Sequence, residues 1–303
     1  MYGRITVFNF LQNRNSLKRL ASWKVSDDFW ARVEPLIPKP QRDPSKTYQR
    51  KAGGGRKPQA PRKVFEGILY VLRTGCQWKA LPKSEFGSSS SVHQYFLDWE
   101  AAGLFEQLWQ KGLLEYDEME GIAWEWQSLD GAMVKAPLAL ESVGRNPTDR
   151  GKKGSKRSLL TDQKGVPLSI VISGANTHDV KLLAATLDGI IIERPCVEDS
   201  KEQHLCLDAG YVGEQAKQDV LDRNYIPHVR PRGEEIEEKA KNPDFKPKRW
   251  VVEVCHSWFN RFRKILVRYE KMDRSYRGLL MLAAAVIVFR KIKRQNQPNI
   301  IYG

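Results

Sequence analysis

The hydrophobic positions change period along the chain, and the change divides it in two. In the first part apolar residues recur at helical spacing. VSDDFWARVEPLIP places Phe29, Trp30, Val33 and Leu36 on one face, with Ser26 as N-cap, Asp27 and Asp28 in the first turn, and Pro38 and Pro40 as the stop. RKVFEGILYVLRTG carries a wider stripe of Val64, Phe65, Ile68, Leu69, Val71 and Leu72 and predicts a helix over 61–74 capped by Gly75. SSSSVHQYFLDWEAAGLFEQLWQKGLLEY adds one or two helices, with Gly103 at a break. Between the first two helices, Lys39 to Lys63 is rich in Pro, Gly and cations and almost free of aliphatics. It reads as a linker or an exposed basic loop, lying along nucleic acid or simply solvated.

Past about residue 120 short β-branched and apolar runs take over. AWEWQSLD reads as a strand ending at Asp130, Leu159-Leu160 as part of a short one, and VPLSIVISG, HLCLD and IPHVR as three more. HDVKLLAATLDGII and GEQAKQDVLDRNY read as helices between them. VVEVCHSWFNRFRKILVRYEK reads as one long helix, and GLLMLAAAVIVFRKIKR as an apolar last one. This alternation argues for an α/β domain. The expected organisation is a loose arm over 1–22, a helical domain over 23–118 with the basic linker 39–63, an α/β domain over 119–292 with a charged, proline-punctuated insertion at 230–249, and a tail over 293–303.

Composition narrows the class. The 303 residues are 41% hydrophobic, enough for a sizeable core. Fifty Lys+Arg against 36 Asp+Glu leave a net charge of +14, which suits a polyanion: nucleic acid first, an anionic membrane surface second. Four cysteines without CxxC pairing argue against a disulfide frame or zinc knuckle and for reduced thiols. The longest apolar run, Leu279 to Phe289, is too short to span a bilayer, and the first twenty residues lack a signal-peptide core, so a cytoplasmic protein without membrane contact is expected. Helix, short turn and serine-rich helix start could offer Ser88 to His93 to DNA as a helix-turn-helix; a plain three-helix scaffold gives the same pattern.

Two stretches carry candidate chemistry. In LCLDAGYVG and LDGAMVKAP, Asp208 and Asp130 each follow an apolar run and precede a small residue, as where a strand presents a carboxylate at the edge of a sheet. Glu253 sits early in a helix whose later part carries Arg261, Arg263, Lys264, Arg268 and Lys271. Phosphodiester cleavage needs an activated oxygen and a stabilised leaving oxyanion; two divalent ions about 4 Å apart supply both, and hard Mg²⁺ or Mn²⁺ prefers carboxylate oxygen. Taken singly, each acid also fits a bland role, since Asp before Gly is a common turn residue and a helical Glu is commonly solvated. Lys152, Lys153, Lys156 and Arg157 form a basic cluster for phosphate contacts or a solvated loop. Asp179, beside His178, reads as a helix cap more than a ligand. His256 lies one turn after Glu253, facing DNA and a catalytic water or packed inside. Glu270 is the rival third acid, with the flanks of a salt-bridged surface residue.

DGAMVKAP (130–137), GKKGSKRSLLTDQKGVPLSIVISGANTHD (151–179), LCLDAGYVG (205–213) and WVVEVCHSWFNRFRKILVRYEK (250–271) resemble bacterial insertion-sequence transposases of the Asp-Asp-Glu type, most closely the insertion-sequence-five group; FEGILYVLRTGCQWKALP (65–82) is similar to that group's leading helical domain. The resemblance implies a ribonuclease-H-like catalytic domain behind a small helix-turn-helix-like domain. Asp130 would lie on its first strand, Asp208 at the end of its fourth and Glu253 on the following helix. It implies Mg²⁺, with Mn²⁺ as substitute, held by these three residues, and cleavage and joining of double-stranded DNA at terminal inverted repeats and a target. A homodimer and a nucleoid-associated location are implied too. Arg249 matches the arginine of the group's Tyr-Arg-Glu-Lys signature, while Lys246 and Asn260 stand where its Tyr and Lys would fall and Arg261 offers a replacement cation. Arg56, Lys57 and Arg263 complete the expected DNA contacts. Val254 and Cys255 replace the usual Arg-Thr after the Glu, which keeps open a catalytically inactive, domesticated DNA-binding relative.

Overall fold

The computed structural model describes residues 23–39, 45–47, 49, 57–196, 201–229 and 250–292. The arm, the tail, the 230–249 insertion with Arg249 and Lys246, and Arg56 in the linker lie outside the described residues. The first part is helical as its periodicity predicts: α1 (Asp27–Val33), α2 (Pro61–Thr74), a single-turn α3 (Lys83–Phe86), α4 (Ser89–Ala101) and α5 (Leu104–Glu120). Ser26 caps α1 by accepting from the Phe29 amide at 3.2 Å, and Gly75 ends α2 in the left-handed region at φ 73°.

The second part contains β1 (Trp126–Lys135), the stub β2 (Gly144–Arg145), β3 (Lys153–Asp162), β4 (Pro167–Gly174), α6 (Val180–Asp188), β5 (His204–Leu207), α7 (Glu214–Leu221), β6 (Ile226–Val229), α8 (Trp250–Asn260), the short α9 (Arg263–Leu266) and α10 (Asp273–Ile292). One sheet holds the strands in the order β2-β3-β1-β5-β6, with β4 on β3. β1, β3 and β4 pair antiparallel; β5 and β6 run parallel to β1. An antiparallel meander followed by two parallel crossover strands, with helices packed on it, is the ribonuclease-H-like arrangement. The stub aside, Asp208 follows its fourth strand.

Three expectations need correction. β1 does not end at Asp130 but runs on to Lys135, because residues 127–135 all pair with β3. β3 is a ten-residue strand rather than a short one; its polar letters, KGSKRS, conceal it because Lys156 and Arg157 find partners inside the protein. The long helix over 251–271 breaks after Asn260. Phe262 is buried in an extended conformation, and the chain then crosses the end of β1, where the Arg268 amide donates to the Lys135 carbonyl at 2.8 Å.

The helical part and the sheet share one continuous core. α10 lies along α5, its Phe289 ring stands 4.6 Å from that of Phe29 on α1, and Trp109 on α5 donates to the Pro167 carbonyl on β4 at 3.1 Å. Within α4, His93 stacks on Trp78 at 4.7 Å and Val92 is buried, so part of the stretch considered for DNA reading is committed to packing. Among the described residues no helix is long and apolar enough to cross a membrane.

Candidate active site

Strand register brings the two aspartates together. β1 and β5 pair in parallel at Trp126↔His204, Gln127↔Leu205 and Ser128↔Cys206. Two residues further along each strand stand Asp130 and Asp208. Residues two apart share a face, so both acids rise from the same face of neighbouring strands, about 4.8 Å apart in the pairing direction. β5 stops at Leu207, and Asp208 opens a short turn in which its Oδ1 accepts from the Gly210 amide at 2.8 Å. That bond orients the carboxylate without burying it.

α8 packs over this face, on β1 and β3. Val252, Cys255, His256 and Phe259 point inward, whereas Glu253 is exposed in the first turn. Cys255 is fully buried and burial pushes its thiol up to about 12, so this departure from the usual residues after the glutamate is core packing, while Val254 is half-buried. His256 Nε2 stands 3.9 Å from Asp130 Oδ2, and its Nδ1 lies 3.2 Å from Arg157 Nη2. A guanidinium only donates, so Nδ1 accepts and the imidazole proton sits on Nε2, the side of Asp130. Burial first, then the Arg157 charge, push the His256 pKa down to about 3 against the opposing pull of the Asp130 backbone, and the ring is neutral at pH 7.

The cations divide sharply. Arg157 is 0% exposed, against His256, Asn260 and the Phe259 ring, and burial lowers its pKa. Lys156 is buried too, donating to Asp179 at 2.9 Å and to the Thr177 carbonyl at 2.7 Å. Neither presents charge to solvent, which corrects their expected role as phosphate contacts. Lys264 and Arg268 are likewise internal: Lys264 pairs with Glu270 at 3.2 Å, and Arg268 donates to Ser155 at 3.0 Å and Asp273 at 2.6 Å. Glu270 is thus salt-bridged as expected, but buried rather than superficial. Lys57, Lys152, Lys153, Asn260, Arg261 and Arg263 are exposed, and so is His178.

Asp179 does not cap α6: its side chain makes no capping bond and turns instead to Lys156. A Cβ on Gly131 would stand 2.2 Å from Asp179 Oδ1. Gly131 has no positive φ, so the glycine makes room for a carboxylate and forms no turn. Behind it lies Tyr211, 1% exposed, whose hydroxyl is held protonated by burial and then by the charges of Asp179, Asp130 and Asp208. The sequence reading missed Gly131, Asp179 and Tyr211 as a unit. A glycine inside a strand pattern, a known mark of close approach, was the available signal.

Carboxylate oxygens on two adjacent strands are the donor chemistry a hard divalent cation takes. Asp130 and Asp208 fit that role by register and chemistry. Among the described residues no group of three His, Cys, Asp or Glu is drawn close enough to hold a metal.

Comparison with known proteins agrees with this frame. The family described as "Transposase DDE domain" matches residues 127–288, and the one described as a putative transposase of the IS4/5 family matches residues 25–109. The chain belongs to the DDE transposases, and its enzymatic class is that of an insertion-sequence transposase. Among its relatives is the putative transposase for insertion sequence element IS402 of Burkholderia cepacia, 31% identical over 164 residues, which cover 51% of this chain and 72% of that protein. A second is an uncharacterized 16.2 kDa protein of the same element, 31% identical over 125 residues, 41% of this chain and 80% of that one. Among solved structures, the pre-cleavage Mos1 transpososome covers 80% of this chain and 82% of its own at 11% identity and a TM-score of 0.28; the Mos1 mariner catalytic domain covers 62% and 93% at 11% and 0.28. That overlap yields no residue-by-residue correspondence, and the site rests on the geometry above.

Proposed function

We propose that this transposase cleaves the ends of its element and joins the freed 3′ hydroxyls to target DNA at a site formed by Asp130, Asp208 and Glu253, with Mg²⁺ as the working ion and Mn²⁺ as a substitute. The observation that carries the reading is the parallel register that sets Asp130 beside Asp208 on the face α8 covers. Glu253 completes the set when α8 and the two strand ends close on bound DNA. The bound ions supply activation of the attacking oxygen and stabilisation of the leaving one. The chain's own residues do the rest. Asp208 is oriented by the Gly210 amide, and α8 shields Asp130 from water on its inner side. Exposed Lys57, Lys152, Lys153, Asn260, Arg261 and Arg263 hold the backbone of the inverted-repeat DNA, and Arg56 and Arg249, outside the described residues, are further phosphate contacts by their charge. The +14 charge supports residence on the nucleoid, and pairing two element ends calls for a homodimer.

The test is a nicking assay in Mg²⁺ on a plasmid carrying the coding region with its native flanking DNA. Asp130→Asn, Asp208→Asn and Glu253→Gln should each abolish cleavage while gel-shift binding survives. Cleavage retained by any one of them removes that residue from the site.

A further inference from the structure

Among the described residues, Arg157 is a buried cation without a carboxylate in contact. It is 0% exposed; its Nε and Nη1 find no hydrogen-bond partner among the described residues, and Nη2 reaches only His256 Nδ1 at 3.2 Å and Asn260 Oδ1 at 3.4 Å. A charge so placed is costly unless something nearby compensates it. Its imidazole neighbour leads on to a carboxylate. His256 Nε2 is itself buried without a well-formed hydrogen bond, and the residue it stands against is Asp130, by its backbone as well as by Oδ2 at 3.9 Å. The three groups come from β3, α8 and β1, so the line Arg157–His256–Asp130 crosses the pairing surface between helix and sheet.

We infer that Arg157 and His256 form a positioning relay for Asp130: the guanidinium fixes the imidazole tautomer, and the Nε2 proton closes onto Asp130 Oδ2 when the carboxylate engages a divalent cation with its other oxygen. This rests on the reading of Asp130 as a metal-holding acid. His256 is a positioning residue that acts through Asp130 and touches neither DNA nor a reacting atom. A carboxylate with one oxygen held by a fixed donor has one orientation left for its ligand, and loss of such outer partners typically weakens metal binding about 10- to 100-fold.

Mn²⁺ binding to the full chain, followed by the paramagnetic resonance of the free ion, tests this without DNA or turnover. His256→Phe keeps the ring volume and removes the donor; it should weaken Mn²⁺ binding about tenfold. His256→Gln, which returns an N–H on the same side, should restore most of it. Arg157→Met, of similar length and without charge, should weaken binding as His256→Phe does, and the double variant should be no worse than either single one. It also answers the question should His256→Phe fail to fold. Wild-type affinity in His256→Phe, equal losses in His256→Phe and His256→Gln, or additive losses in the double variant would each overturn the relay. Asp130→Asn separates the two readings. If it loses Mn²⁺ while the His256 variants do not, the relay alone is wrong; if it binds as the wild type does, the acid assignment falls and the relay with it.

Discussion

The helical half and the sheet half bury different things. In the helical half the interior is mainly aliphatic and aromatic: Phe29, Phe65, Ile68, Leu69, Leu72, Phe96, Phe105 and Trp109 are essentially inaccessible, and the buried charges are Glu66 and Arg73 at its margin, each 8% exposed. In the sheet half the interior also holds Arg157, Arg268, Lys156, Lys264, Glu270, Asp162 and His256. Apolar burial stabilises wherever it occurs, whereas a buried ion pair gains little net stability over a well-packed apolar pair. The buried charge clusters around the strand that bears Asp130 and the crossing chain that locks its end. The first half contributes stability; the second uses part of it to keep charged groups oriented inside.

The sharpest way to break this contrast is a cavity in the helical core. Phe65→Ala should destabilise by about 3–5 kcal/mol in chemical denaturation, with Mn²⁺ affinity per folded molecule unchanged. A loss of affinity equal to the loss of stability would show that the halves are not distinct in this sense. Of the same size is Lys264→Ala, which strands the Glu270 carboxylate and should cost about 3–5 kcal/mol. Joint Lys264→Met and Glu270→Leu should be close to neutral on the same denaturation curve.

Acid should separate the halves more gently. His256 is held near 3 when folded and titrates near 6.5 when unfolded, so the unfolded chain binds a proton the native one refuses. Its contribution to stability is fully present above about pH 6.5 and is lost progressively as pH falls from there toward 3. Thermal melts of wild type and His256→Gln at pH 7, 6 and 5 should diverge on the acid side, with the wild type falling faster; parallel curves would refute it. The smallest effect belongs to Ser26→Ala, about 1 kcal/mol for a lost N-cap, confined to α1.

Legibility in the sequence follows the same division. The start of α1 at its Ser26 cap and both ends of α2 with its Gly75 cap could be read to the residue, since local chemistry determines them; α1 itself tightens into a 3-10 turn over Glu34–Leu36, ahead of the prolines expected to stop it. The strands β4, β5 and β6 and the order of the acids were also readable. What escaped depended on partners distant in the chain. β3 looks like a loop because Lys156 is answered by Asp179 and Arg157 by His256, 99 positions away. The break after Asn260 is imposed by Phe262 entering the core and by Arg268 docking on β1, neither of which alters helical periodicity. Gly131 imitates a turn until Asp179 arrives to fill the space beside it.

The packing of α10 against α5 has a consequence for how the chain comes into being. The apolar faces of α1 and α5 are covered by a segment that begins at Asp273, so the helical half has no finished interior while the ribosome is still making the sheet. A nascent copy, or one shortened by a premature stop before Asp273, exposes those faces and is a substrate for chaperones and proteases rather than a free DNA-binding fragment.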